Sequence, residues 1–207
     1  MVRYRTIVAD PPWPCQAMRR ANVLAGDHYP VMSLDQIIAL PVSELAAEDA
    51  HLYCWAVLPM MADAFDVVRA WGFAPITMLT WCKPGPGLGG GFRGNTEHLI
   101  VARLGESFYN PTCSTCKGRA RGAVKCDCER PEWRYRGERT VYARQFQDAA
   151  KGTWYVASRQ AHSQKPDLFL DLVESMEPGP YLEMFARRNR LGWDTWGNEA
   201  LAHVEIA

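Results

Sequence analysis

Short apolar runs of strand length alternate along this chain with segments whose apolar positions recur every three or four residues. Tyr4 to Ala9 reads as a buried strand, as do His51-Leu52-Tyr53-Cys54-Trp55, Pro75 to Trp81, Glu97 to Ala102, Gly152 to Ala157 and Tyr181 to Ala186. Leu191-Gly192-Trp193 opens a last extended segment. Ser33-Leu34-Asp35-Gln36 has the form of a capping box and starts a short helix through Leu40. Pro59 suits the first turn of a second helix, in which Met60, Met61, Ala64, Phe65, Val67, Val68 and Trp71 repeat at helical spacing before Gly72 closes it. Pro166 to Met176 predicts a third helix with Leu168, Phe169, Leu172 and Val173 on one face. Strands separated by such segments imply an α/β fold: a mainly parallel sheet, right-handed crossovers and helices on both faces. The glycine-rich stretch from Lys83 to Gly91 lacks the strand–helix setting of a phosphate-binding loop and reads as a loop.

Composition narrows the setting. A chain of 207 residues, 48% of them apolar, buries one good core, so a single domain over residues 1–207 is expected. Formal net charge is zero, so attraction to phosphate must come from local patches. Such a patch exists: from Cys113 to Arg144 nine Lys or Arg stand against four Asp or Glu. Residues 105–150 break the α/β rhythm and read as a small, basic, cysteine-rich inserted module. With neither a leader pattern nor a membrane-length apolar run, the expectation is a soluble cytoplasmic protein with reduced cysteines and no membrane partner.

The candidate chemistry begins at Asp10-Pro11-Pro12-Trp13, directly after the first strand. Two prolines fix φ near −65° and remove two backbone donors, so the Asp10 carboxylate and the Asp10 and Pro11 carbonyls form an acceptor cluster at the strand's C-terminal end. In open α/β sheets ligands bind at that end. Local sequence leaves two readings open, a site for an amino group and a strand-ending turn with a packed tryptophan.

Within the insertion, Cys113, Cys116, Cys126 and Cys128 form two close pairs. Four thiolates so spaced can close a tetrahedral zinc site, which would let a segment without aliphatic periodicity fold; free thiols, or a disulfide or another metal, are the alternatives. Arg residues interleaved with Trp133, Tyr135 and Tyr142 suit contact with nucleic acid. Cys15, Cys54 and Cys82 read as packed small hydrophobes, and His28, His51, His98 and His162 fall in separate motifs without ligand spacing.

Asp10-Pro11-Pro12-Trp13, His28-Tyr29-Pro30, His51 to Trp55, Trp81-Cys82-Lys83, Glu97-His98, His162 to Asp167, Glu183 to Arg187 and Gly192 to Glu199 follow one another in an order of high specificity. In this the chain resembles the adenine-N6 methyltransferase family typified by the catalytic subunit of the eukaryotic messenger-RNA methyltransferase, which has small bacterial and phage members. The resemblance implies a Rossmann-like S-adenosyl-L-methionine-dependent methyltransferase domain in which the catalytic motif precedes the main cofactor strand. It makes Asp10, Pro11, Pro12 and Trp13 catalytic, with Asp10 and Pro11 accepting the two amine hydrogens. Trp13 and Tyr29 would stack on the purine, Lys83 and Glu97 would lie on the substrate side, and Asp10, Lys165, Glu183, Phe185, Arg187, Asn198 and Glu199 would meet the cofactor. Ala186 and Glu199 stand where family members often have Gly and Gln. DNA is the favoured polymer because the chain lacks the extra RNA-binding domains of the eukaryotic relatives. RNA adenine, cytosine N4 and a catalytically silent binding module are the alternatives, and the oligomeric state is not readable.

Overall fold

The computed structural model describes residues 2–15, 31–85, 87, 91–105, 153–159 and 164–197, together with the backbone of 112–113 and 133–134. In chain order the strands are β1 (Tyr4–Ala9), β2 (Ala46–Ala56), β3 (Ala74–Cys82), β4 (Thr96–Leu104), β5 (Thr112–Cys113), β6 (Trp133–Arg134), β7 (Trp154–Val156), β8 (Tyr181–Met184) and β9 (Trp193–Trp196). The helices are α1 (Leu34–Ile38), α2 (Val42–Leu45), α3 (Met61–Ala70) and α4 (Asp167–Met176), with a 3-10 turn, Leu58–Met60, leading into α3. Seven strands form one sheet in the order β7-β3-β4-β2-β1-β8-β9, and β5 pairs with β6 apart from it.

Side chains alternate across the central strands, and both sets are buried, which is why these strands read as unbroken apolar runs. Ile7, Ala9, Leu52, Cys54, Ile100, Leu182 and Met184 form one core with Ile37, Val42 and Val67 from α1, α2 and α3. Val8, Tyr53, Trp55, Trp81, Leu99 and Trp193 form the other, under Phe169, Leu170 and Val173 of α4. The expected capping box opens α1, with Ser33 and Gln36 bonded reciprocally. The fully buried Trp71 then ties α3 to α1 by donating to the Ile37 carbonyl at 2.9 Å.

One strand departs from the expectation of parallel crossovers. β1 pairs in parallel with β2 and β8, β8 with β9, and β3 with β7, but β4 runs antiparallel to both β2 and β3. Among the described residues no helix separates β3 from β4, and the two pair antiparallel as a hairpin that need not cross over. The start of β4, with Glu97 opposite Trp81, therefore lies at the end of the sheet where β1, β2, β3 and β8 finish. A parallel β4 would have placed Glu97 at the far end. β2 begins five residues earlier than the apolar run suggests, at Ala46, and β8 stops at Met184.

Candidate active site

The site forms where β1, β2 and β8 end. β1 lies between β2 and β8, and Ala9 pairs with both Cys54 and Met184. The chain leaves β1 for β2 on one side and reaches β8 later on the other, the switch point at which open α/β sheets offer a crevice. Asp10 follows at once, its N–H donating to the Met184 carbonyl at 3.4 Å.

The Pro-Pro turn is held from below. Trp13 is only 7% exposed and its indole N–H donates to the Trp55 carbonyl at 2.9 Å. It is an anchor locked in the core, not the open stacking surface expected for a purine, because the turn points the indole inward. The Pro11 carbonyl, expected to be unpaired, accepts the Trp13 N–H at 2.8 Å, which leaves one of its two lone pairs for a ligand. The Pro12 carbonyl accepts from Met32 N–H at 3.2 Å.

Above the turn sits a line of alternating charges. Lys165 donates to Asp10 Oδ2 at 2.7 Å and lies 3.4 Å from Glu97 Oε2, while Glu97 Oε1 accepts from Lys83. Lys165 also stands 5.4 Å above the Trp55 ring and Lys83 4.6 Å above that of Trp81, positions favourable for a cation. Burial alone disfavours both charges of the Lys165–Glu97 pair, but the opposed ions overcome it: Asp10 and Glu97 hold Lys165 above its ordinary range, and the two lysines hold Glu97 below its own. Glu97 is thus linked to Asp10 through Lys165, and Lys83 through Glu97 in turn.

Beside this line opens a cleft lined by Val8, Asp10, Trp55, Leu99, Gln164, Lys165, Pro166, Phe169, Leu170, Val173, Glu183, Phe185, Arg187 and Arg188. Glu183 Oε2 is buried with no hydrogen-bond partner among the described residues. Burial first, and then the nearby Asp10 charge, push the Glu183 carboxyl up to about 7, against a smaller pull from Arg190 and Lys165. A buried oxygen left without a partner is costly, and a ligand hydroxyl would satisfy it. Phe185 occupies the left-handed region at φ +62°, a strained conformation for a non-glycine residue, with its ring 5.0 Å from Trp196.

The loop carrying Phe185, Arg187 and Arg188 is bolted to α4. Arg190 Nε donates to Glu174 Oε1 at 2.8 Å and a terminal nitrogen of Arg190 donates to Asp171 at 2.6 Å, while Trp193 donates to Glu174 at 2.6 Å. Ala186 is 2% exposed and its N–H donates to the Trp196 carbonyl at 3.0 Å. The close approach that a glycine at position 186 would serve is met from across the strand instead: a Cβ on Gly197 would lie 2.3 Å from the Ala186 carbonyl oxygen.

The structure therefore gathers Asp10, Lys165, Glu183, Phe185 and Arg187 around one cleft, while Pro11 follows Asp10 in the turn, Glu97 reaches Lys165 and Lys83 reaches Glu97 from outside its lining. Tyr29, Asn198 and Glu199 lie outside the described residues, as do Cys116, Cys126, Cys128 and the side chain of Cys113. Among the described residues no cluster of His, Cys, Asp or Glu is placed to hold a metal. Sequence reasoning missed Trp55, Leu99, Phe169 and Gln164 as cleft walls and Arg190 as the tie behind it; the alternation that puts Tyr53 and Trp55 on one face is the signal that could have found Trp55.

Among the known proteins that this chain is similar to are the following three. The chain is 27% identical over 216 residues to the type II methyltransferase M.MunI of Mycoplasma sp., covering 95% of this chain and 78% of that one. It is 26% identical over 212 residues to the N6-methyladenosine RNA methyltransferase MTA1 of Cryphonectria parasitica, 94% of this chain and 51% of the other. It is 26% identical over 215 residues to the human N(6)-adenine-specific methyltransferase METTL4, 98% of this chain and 39% of the other. The chain thus spans most of the first, about half of the second and 39% of the third. The MT-A70 family model matches residues 4–111 and 133–199, everything that builds the seven-stranded sheet and the cleft, and omits only 112–132 internally, the stretch holding Cys113, Cys116, Cys126 and Cys128. The chain belongs to the MT-A70 family and is a methyltransferase.

Proposed function

We propose that this enzyme methylates the exocyclic 6-amino group of adenine in DNA, drawing on S-adenosyl-L-methionine, which supplies an electrophilic methyl group on a sulfonium. The observation that carries the reading is the Asp10 carboxylate, held on an anchored Pro-Pro turn at the mouth of a cleft that contains an unsatisfied carboxylate oxygen. An adenine amine is a weak nucleophile because its lone pair is delocalised into the ring. Asp10 and the free lone pair of the Pro11 carbonyl can each accept one amine hydrogen, which aims the nitrogen and stabilises the positive charge that grows as it attacks. No strong base is needed, and the proton leaves after the bond has formed.

The cleft residues fit the cofactor. Lys165 and Arg187 are cations for its carboxylate, Glu183 Oε2 is an acceptor for ribose hydroxyls, and Phe185 is an apolar wall for a heterocycle. Asn198 and Glu199 remain proposed contacts. Lys165 donates to Asp10, so a ligand carboxylate that engages Lys165 would compete with Asp10 for its ammonium and free the acceptor for the amine.

DNA is favoured over RNA because the relative matched over most of its own length is a type II methyltransferase, whereas the one named for RNA is matched over half of its length. Methyl-labelled cofactor, incubated with single-stranded DNA, duplex DNA and RNA and followed by nucleoside identification, tests the proposal. N6-methyladenine in DNA is expected; label only in RNA, or only in cytosine, overturns it. For the insertion we further propose a structural zinc held by Cys113, Cys116, Cys126 and Cys128, supported by their spacing and by the pairing of Cys113 with Trp133 in β5–β6. Metal analysis of the wild type and a Cys113→Ser/Cys116→Ser variant should show one zinc and none; a zinc-free wild type contradicts this.

A further inference from the structure

The β3–β4 hairpin connects the charge line of the active site to the surface. Its stem is tight: Lys83 N–H donates to the Asn95 carbonyl at 2.8 Å, and the Asn95 amide returns a hydrogen bond to the Lys83 carbonyl at 3.0 Å. Lys83 and Glu97, which flank that stem, are themselves members of the line that ends at Asp10. Further out the two limbs touch, since a Cβ on Gly87 would lie 1.7 Å from the Gly94 carbonyl oxygen, so only a residue without a side chain fits. On this narrow limb Phe92 is completely exposed, at 107% of its reference area. Arg93 beside it is also exposed and forms no ion pair with any described residue.

Scattered exposed apolar residues are ordinary on protein surfaces. Phe92 differs in its setting, because it stands three residues from the Lys83–Asn95 stem, which is joined through Glu97 and Lys165 to Asp10. Three residues span at most about 10 Å, comparable to the roughly 8.5 Å depth of the major groove of duplex DNA. An enzyme that works on the amino group of a paired adenine must turn the base out of the stack, which leaves a gap flanked by exposed base faces and phosphates. An aromatic ring fills such a gap, and a neighbouring guanidinium suits the phosphate beside it.

We propose that Phe92 is an intercalating wedge for duplex DNA, entering the stack where the target adenine has been turned out, with Arg93 holding the adjacent phosphate. This rests on the reading of the chain as an adenine methyltransferase. The wedge acts only when there is a stack to enter, so its loss penalises duplex and spares single strands.

The test compares the full chain with Phe92→Ala and Phe92→Trp on unmethylated genomic DNA, native and heat-denatured, using methyl-labelled cofactor. Phe92→Ala should lower kcat/KM on native DNA by about 5- to 150-fold, the range set by one lost aromatic–base stack, and change it less than about twofold on denatured DNA, with Phe92→Trp restoring duplex activity. Arg93→Gln should reduce the salt dependence of duplex binding by about one phosphate contact. Thermal midpoints should not move, since Phe92 is fully exposed and packs against none of the described residues. An equal loss on both forms, or no loss on native DNA, overturns the wedge. So does a wild type that methylates denatured DNA but not native DNA. A change of oligomeric state in Phe92→Ala assigns the ring to a contact between copies and overturns it too. Failure of the wild type to methylate either form is a different result, because it removes the methyltransferase reading itself.

Discussion

Glu183 should release a proton when S-adenosyl-L-methionine binds. In the free protein burial and the Asp10 charge raise its carboxyl to about 7 from the ordinary 4.5. A ligand hydroxyl that donates to Oε2 favours the ionised form, so the pKa falls on binding and a proton is expelled wherever the free carboxyl was still protonated. If binding restores the ordinary value, release is about 0.9 proton per site at pH 6 and about 0.1 at pH 8, and Kd weakens about tenfold between pH 8 and pH 6, or about 1.4 kcal/mol. Calorimetric titration in two buffers of different ionisation enthalpy measures the proton count directly. Glu183→Gln is the control: the ligand's own amino group titrates against both proteins, so the difference between them belongs to Glu183. Equal proton release by both proteins at pH 6, or proton uptake by the wild type relative to the variant, refutes the reasoning.

The free protein gives a companion expectation with a definite sign. A carboxyl whose folded pKa lies above its unfolded one contributes stability that is full below about 4.5 and lost as pH rises through about 7, so Glu183→Gln should raise the thermal midpoint at pH 8, by at most about 3 kcal/mol of stability, and leave it unchanged at pH 4. At the far end of the sheet, Glu177 is 2% exposed and accepts from Tyr53 at 2.6 Å while lying 2.9 Å from His51 Nδ1; Glu177→Ala should cost about 3 kcal/mol in a denaturant titration, and a loss under about 1 kcal/mol would show the cluster is dispensable. At Phe185 the usual order reverses: with φ at +62°, Phe185→Gly should be more stable than Phe185→Ala by about 1 kcal/mol, and an Ala variant at least as stable as Gly would deny the left-handed backbone.

The central strands were legible because both faces of the sheet are covered there, so each reads as a continuous apolar run, and α1, α3 and α4 because each covers one face with a periodic stripe; the four-residue α2 and the two-residue β5 and β6 are too short to show a period. The direction of β4 was not, since hydrophobic pattern says nothing of polarity; the absence of a helical stretch between Cys82 and Thr96 was the available clue. The acceptor turn was legible because two prolines dictate its backbone, yet the same rule could not say which way Trp13 would face. The link between Lys165 and Asp10 joins residues 155 apart in the chain, and the meeting of Glu97 with both lysines depends on the reversed strand. Such contacts are products of topology, visible from local sequence only through likeness to a family. The unsatisfied oxygen of Glu183 and the strained backbone of Phe185 are likewise properties of the assembled cleft.

The most direct measurement is single-turnover methyl transfer to adenine-containing DNA by the wild type and by Asp10→Ala, with nucleoside analysis of the product and thermal midpoints of both proteins. The wild type should yield N6-methyladenine, and Asp10→Ala should lose at least about 10²- to 10³-fold in rate, the scale of one missing electrostatic contact to developing charge, while remaining folded. A folded Asp10→Ala that methylates adenine within about tenfold of the wild-type rate, a deficit of only about 1.4 kcal/mol, would contradict the account by showing that the amine is held elsewhere.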